Sequence, residues 1–306
     1  MKTNFLILFL ITSQITFGQK MGNTYFTWEA FANNFGKEMV SAEDVYSQMV
    51  KSGLMINSLG NFDFHFVSDK KDNLERLGLF ITQHYPYEIK TIKKMGRNIW
   101  ELHGLTNEIP INSNNLLYWG LDMYKRGYEF DSKLDAYGAL LDHENPKLPV
   151  LDKLKEDWYF EKGIDCYNNG DLSGAIINWS LVLEINPKEP NSYYSRAIVK
   201  NELYTWKSAM EDYDKAIEIA PDFISALTNR GTLKDENGDY LGAIEDYNKV
   251  IELENVDLEN IQKAYFNRGN SKLNLDDKIG ACQDWKISYK LGAEYALERI
   301  NQHCIN

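Results

Sequence analysis

Ala175, Ala209 and Ala243 stand 34 residues apart, and the residues around them repeat at the same interval. Gly163, Ala197 and Gly231 fall into one register, Trp179, Tyr213 and Tyr247 into a second, and Pro187, Pro221 and Asn255 into a third. A fourth copy follows after 38 residues with Gly269, Ala281 and Trp285, its extra four residues falling in the polar stretch ENVDLEN. A period of this length describes one supersecondary unit, here a helical hairpin. Small residues let its two helices approach, the aromatic fills the space beside them, and the proline stops the second helix. One hairpin cannot bury its apolar face alone, whereas four stacked hairpins can.

The phrases NRGTLKDENGDYLGAIEDYNKVIEL and AYFNRGNSKLNLDDKIGACQDWKISYKLG resemble the tetratricopeptide repeat, TPR, and the resemblance covers residues 156–292. The fourth copy departs from it after Ser288, where Leu291 and Gly292 replace the usual terminating proline. The resemblance implies an all-α solenoid over residues 154–292 whose concave groove receives a protein or peptide. By the repeat register its lining is Phe160, Tyr167, Tyr194, Asn201, Thr228, Asp235, Phe266 and Asn270. Arrays that clamp a terminal carboxylate use lysine and asparagine there, whereas this chain has Ile164, Ile198 and Thr228. Arg196, Arg230 and Arg268 recur with Asp212, Asp246 and Asp284. Three equivalent copies do not converge on one substrate, so they read as ion pairs between helices.

The chain opens MKTNFLILFLITSQITFGQK, with Lys2 before an apolar run at residues 5–11 and small residues at Thr16 and Gly18. That order is a secretory signal peptide, residues 1–18, cleaved after Gly18. No later apolar run is long enough for a transmembrane helix. The expected product is exported, periplasmic or secreted. Its net charge of −12 carries no cluster of lysine and arginine, which excludes nucleic acid as a partner.

Residues 24–141 follow another pattern. Ser41 and Asp44 in SAEDVYSQMVKSG form a capping-box arrangement at a helix start. FDFHFV alternates Phe62, Phe64 and Phe66 with Asp63 and His65, the mark of a half-buried strand. Leu74, Leu77 and Ile81 form one helical stripe, and YEIKTIKK and RNIWELHGL form a hairpin turning near Met95 and Gly96. A second helix starts at Asn112 or Ser113, faces inward with Leu117, Leu121 and Tyr124 and ends at Gly127. YEFDSKLDAY supplies the last strand. The order βαββαβ predicts a ferredoxin-like α+β domain.

That order, with the phenylalanines of residues 62–66 and the phrase GYEFD, resembles the regulator of ribonuclease activity B family, RraB. Members bind and inhibit ribonuclease E and are not enzymes, so the resemblance implies a fold and a protein-binding role. This chain has Asp131, Ser132 and Lys133 where the family tends to carry Asp-Gly-Trp.

Asp63, His65, Glu101 and His103 are expected on the open face of the sheet. Two histidines and two carboxylates would suit zinc or another divalent ion, as in a metal-dependent hydrolase, but the spacing is generic and polar residues there are the ordinary outcome of strand alternation, so the sequence assigns no metal and no cofactor. Phosphate loops, nucleophile elbows and paired-cysteine motifs are absent, and His84, His143 and His303 are isolated, which argues against an enzyme. Pro146 and Pro149 stiffen the connector, residues 142–153.

Residues 293–306 place Ala293, Leu297, Ile300 and Cys304 at helical spacing, as expected of a helix capping the last repeat. Cys304 on that face and Cys282 beside Ala281 are positioned for a disulfide, which would contribute about 3 kcal/mol in an oxidising compartment. Cys166 is then a small core residue. The reading is an exported, non-catalytic scaffold binding a polypeptide through its groove. The alternative is an inhibitor or immunity factor for a nuclease or toxin, acting through the RraB-like domain.

Overall fold

The computed structural model describes residues 22–140 and 146–304. They form two compact units, one reaching Pro187 and taking in residues 202–204, the other holding residues 188–201 and the chain from Thr205 onward. The expected signal peptide, His143 and the start of the connector lie outside the described residues. Among the described residues no helix is long and apolar enough to cross a membrane.

The first unit opens with α1, Trp28–Lys51, capped by Thr27, whose side chain accepts from the Ala30 amide. Ser41 lies inside this helix rather than at its start. The apolar stripe explains the difference. Phe31 and Phe35 are buried upstream, and Phe31 stacks on Tyr124 with ring centroids 4.9 Å apart, so packing carries the helix through a local capping signal.

Strand β1, Leu59–Ser68, alternates as expected, with Phe62, Phe64 and Phe66 fully buried. Helix α2, Lys71–His84, lays Leu74, Leu77 and Ile81 on that core. Strands β2, Glu88–Gly96, and β3, Ile99–Leu105, form the hairpin, turning at Arg97 and Asn98 rather than at Met95 and Gly96. A two-residue strand, β4, Ile109–Pro110, pairs with the start of β1 and was not foreseen. Helix α3, Ser113–Glu129, is capped by Asn112, which accepts from the Asn115 amide at 2.8 Å. Leu116, Trp119, Met123 and Tyr124 are buried, whereas the expected Leu117 is only half-buried, so the helix is packed nearly all round rather than on one stripe.

Strand β5 is Lys133–Leu140, so YEFDS is not strand. Tyr128 still belongs to α3, and Asp131 turns the chain with a φ of +50°. Its carboxylate holds that conformation by accepting from the amides of Tyr25 at 2.9 Å, Phe26 at 2.7 Å and Thr24 at 3.1 Å. All strand pairs are antiparallel: β1 lies between β3 and β5, and β2 lies outside β3. This unit is a small antiparallel sheet with helices, followed by the first helical hairpin, α4, Glu156–Asn168, and α5, Leu172–Ile185.

The second unit consists of helices α6, Pro190–Glu202 (all but its last residue), α7, Trp206–Ile219, α8, Ile224–Glu236, α9, Tyr240–Glu252, α10, Leu258–Asn274, α11, Lys278–Lys290, and α12, Ala296–His303. Ala197, Ala209, Ala243 and Ala281 are fully buried where helices meet. ENVDLEN is only partly loop: Asn255 takes a φ of +59° in place of a proline, and α10 begins at Leu258. The terminal helix also begins late. Ala293, Ala296, Ile300 and Cys304 turn inward, while the expected Leu297 is largely exposed because the residues before Ala296 form a turn that shifts the face.

Candidate interaction surface

Each hairpin is built on contact between a small residue and a ring. A Cβ at Gly163 would stand 2.4 Å from Trp179 Nε1, and at Gly269 2.6 Å from Trp285 Nε1. At Gly231 it would stand 2.7 Å from the Tyr247 ring. The indoles also donate, Trp179 to the Phe160 carbonyl at 3.3 Å and Trp285 to the Phe266 carbonyl at 3.2 Å.

The recurrent charges pair within hairpins. Arg196 donates to both oxygens of Asp212 at 2.7 Å, Arg230 to Asp246 at 2.9 and 2.5 Å, and Arg268 to Asp284 at 2.8 and 2.7 Å. A lysine one turn later joins each pair: Lys200, Lys234 and Lys272, at 2.8, 2.9 and 2.8 Å. The aspartates are buried, so two cations hold one desolvated carboxylate at the helix–helix contact. Arg230 also reaches back to Asp214 at 2.7 Å and Arg268 to Asn248 at 2.6 Å, tying successive hairpins. The lysines were missed in the sequence, although the interval Arg-x-x-x-Lys recurs there.

A second missed signal is Asp-x-x-Gly. Asp171, Asp239 and Asp277 cap α5, α9 and α11 by accepting from the amides of Gly174, Gly242 and Gly280. A Cβ at those glycines would stand 2.3 Å or less from the capping carboxylate.

The first hairpin lacks the clamp. Lys162, Cys166 and Asn178 occupy its three positions, and Asn178 lies 3.9 Å from the Cys166 sulfur. It is held instead by the preceding α3. Asp122 accepts from the Ser173 amide at 3.0 Å, Arg126 donates to the Gly170 carbonyl at 2.8 Å, and the single Tyr85 hydroxyl proton lies between Asp122 and that carbonyl, each 3.1 Å from Oη. His84 Nδ1 meets the Asn169 carbonyl at 2.6 Å. Burial raises the pKa of Asp122 despite Arg126 beside it. Burial, followed by the negative field of Asp122, pushes Asp171 up to about 7.

The expected groove residues divide by how far the chain itself uses them. In the first unit Phe160 is half-buried, and Tyr167 is exposed 6.4 Å from the Trp179 ring. In the second, Tyr194 packs on Phe223 with centroids 4.9 Å apart, and Phe266 packs edge-on against Tyr295 at 4.9 Å. Asp235 accepts from Ser271 at 2.7 Å and from Tyr247 at 3.0 Å, with its pKa raised by burial against those bonds. Asn201, Thr228 and Asn270 are half-buried. Thr228 Oγ1 and Asn270 Oδ1 have no hydrogen-bond partner among the described residues.

Cys282 and Cys304 are joined by a disulfide with a Cα separation of 5.6 Å, and Cys166 is a buried free thiol. The bond closes on a cluster of Ala281, Trp285, Ala296, Phe266 and Ile300.

Residues 224–257, which hold α8 and α9, match the tetratricopeptide repeat family. No curated protein matches the chain. Among solved structures it is similar to Pseudomonas aeruginosa PilF, at 20% identity over 49% of this chain and 70% of that one, with a TM-score of 0.43. It is similar to MamA at 18% identity, 47% and 82% coverage and a TM-score of 0.43. The first TPR of Spaghetti (RPAP3) bound to the HSP90 peptide SRMEEVD matches at 22% identity, 41% and 96% coverage and a TM-score of 0.37. At those scores the likenesses carry no functional weight. The match identifies residues 224–257 as a tetratricopeptide repeat, and the flanking hairpins share its sequence register.

Proposed function

We propose that the chain is an exported, non-catalytic adaptor that binds a polypeptide along the first helices of its repeats. The observation that carries this reading is the matched tetratricopeptide repeat at residues 224–257, whose first helix, α8, carries Thr228 and Asp235 of the expected groove. The half-buried side chains of Asn201, Thr228 and Asn270 keep part of their surface within reach of an extended segment. Tyr194, Phe266 and Asp235 then act by shaping the surface, and Asn201, Thr228 and Asn270 by touching the partner. The test is capture of one partner from envelope extract by wild-type protein and by T228V/N270L. Loss of that partner with an unchanged melting temperature is the expected result, and equal capture would sink the groove reading.

Export rests on the leader at residues 1–18 and predicts a mature chain beginning at Gln19. A second reading takes the amino-terminal part as a ferredoxin-like, RraB-like inhibitor of a nuclease or toxin. The strand sequence β2-β3-β1-β5, all antiparallel, supports the ferredoxin-like part of that reading, because two interleaved βαβ units produce that order. It predicts that the full-length protein silences one enzyme even when T228V/N270L abolishes groove binding.

A further inference from the structure

We propose that the open face of the sheet holds a divalent first-row transition ion of the zinc class, ligated by Asp63, His65 and His103. The strand register makes the site. His65 on β1 pairs directly with His103 on β3, and Asp63 lies two residues before His65, hence on the same face. The two imidazoles stack with centroids 4.7 Å apart and planes within 8°. Both turn Nε2 toward one carboxylate: that of His103 contacts Asp63 Oδ1, and that of His65 lies 3.5 Å from Asp63 Oδ2.

One donor atom from each residue lies within 4.8 Å of the other two. A tetrahedral ion with bonds of about 2.0–2.2 Å separates its ligands by roughly 3.3–3.6 Å. Only small side-chain rotations are therefore needed. Two nitrogens and a carboxylate without sulfur suit zinc, cobalt or nickel rather than calcium or magnesium.

The surroundings match a metal-ligating histidine. Glu101 Oε1 lies 3.3 Å from His65 Nδ1, which has no hydrogen-bond partner among the described residues, so a small rotation of the ring would let Nδ1 donate to Glu101 and leave Nε2 for the ion; Lys93 stands 3.1 Å from the same carboxylate. Behind the ligands, Phe62, Phe64 and Phe66 fix β1 in the core. In front there is room: β5 sets Gly138 opposite Asp63 and Ala136 opposite His65, and a Cβ at Gly138 would meet nothing within 4 Å. The fourth coordination position faces outward, open to water or to a donor from outside the chain.

The test uses tag-free full-length protein stripped by a chelator, with Zn2+ titrated in competition with a chromophoric chelator. One equivalent per chain is expected. H103A and D63N should each weaken it about 100-fold and E101Q about 10-fold, while H84Q leaves it unchanged. Co2+ should give the intense visible absorption of a tetrahedral site with no sulfur charge-transfer band, which separates this site from Cys166. No stoichiometric binding, or binding that folded H103A and D63N retain within about threefold, would overturn the proposal and leave a self-satisfied ion-pair cluster.

Discussion

The hairpins α4–α5 and α8–α9 share a register, a buried glycine against a ring and an aspartate cap, yet different groups hold them. In α8–α9 the fastening is internal: Arg230 and Lys234 close on Asp246. In α4–α5 those positions read Lys162, Cys166 and Asn178, and the fastening comes from Asp122, Arg126 and Tyr85 of the sheet-bearing part. The difference explains why the first compact unit runs through Pro187. A repeat that leans on a different neighbour gives up the device by which its siblings stay closed, and its polar contacts move to the turn between its two helices.

The sharpest way to break the comparison is to truncate the same register position in each hairpin, Asp246 in one and Asn178 in the other. D246A takes the shared carboxylate from two partly buried cations, of which Arg230 keeps Asp214, and should cost about 3 kcal/mol in urea unfolding, whereas N178A loses a neutral side-chain contact and should cost about 1 kcal/mol or less. Equal losses would mean that the clamp is not what distinguishes the two.

Reduction of the disulfide between Cys282 and Cys304 should lower stability by about 3 kcal/mol. Amide exchange should localise the change to α11 and α12 and leave α4–α5 unmoved.

Two carboxylates of the first unit respond to pH in opposite senses. Asp171 has its folded-state pKa raised to about 7, so its contribution is full below the ordinary aspartate range and is lost as pH rises through 7. The slope reaches about 1.4 kcal/mol per pH unit for one proton. D171N keeps a capping oxygen and should flatten stability between pH 4 and 7. Asp131 works in the opposite sense: burial raises its pKa, but the amides of Phe26, Thr24 and Tyr25 outweigh it, and that contribution disappears as pH falls into the acid range.

The smallest effect should come from the caps. G242A pushes Asp239 off the Gly242 amide and should cost about 1 kcal/mol, measured as a shift in melting temperature. The second hairpin is the reference, since Thr205 makes no side-chain cap bond to α7.

What could be read from residues alone followed from how local each signal was. The buried alanines, the glycine–ring contacts and the bond between Cys282 and Cys304 depend on spacing within one hairpin or between neighbours, and spacing is visible in a sequence. Ser41 misled because its local capping chemistry was outweighed by Phe31 and Phe35 packing on α3, a contact made far along the chain. The strand expected from Tyr128 failed for a similar reason: the turn at Asp131 is held by amides more than 100 residues earlier. Lys200, Lys234 and Lys272 were overlooked because a lysine one turn after an arginine looks like a solvated face until the buried carboxylate between the helices is seen.

The third cysteine has one more consequence. Cys166 sits where the clamped hairpins carry lysine, and burial together with the charge of Asp171 pushes its thiol up to about 12. Exchange with a disulfide requires the thiolate. Once the first hairpin has closed, this sulfur is chemically silent at neutral pH, so an odd number of cysteines still yields a single pairing, and misjoined or intermolecularly linked chains are confined to the interval before that hairpin folds.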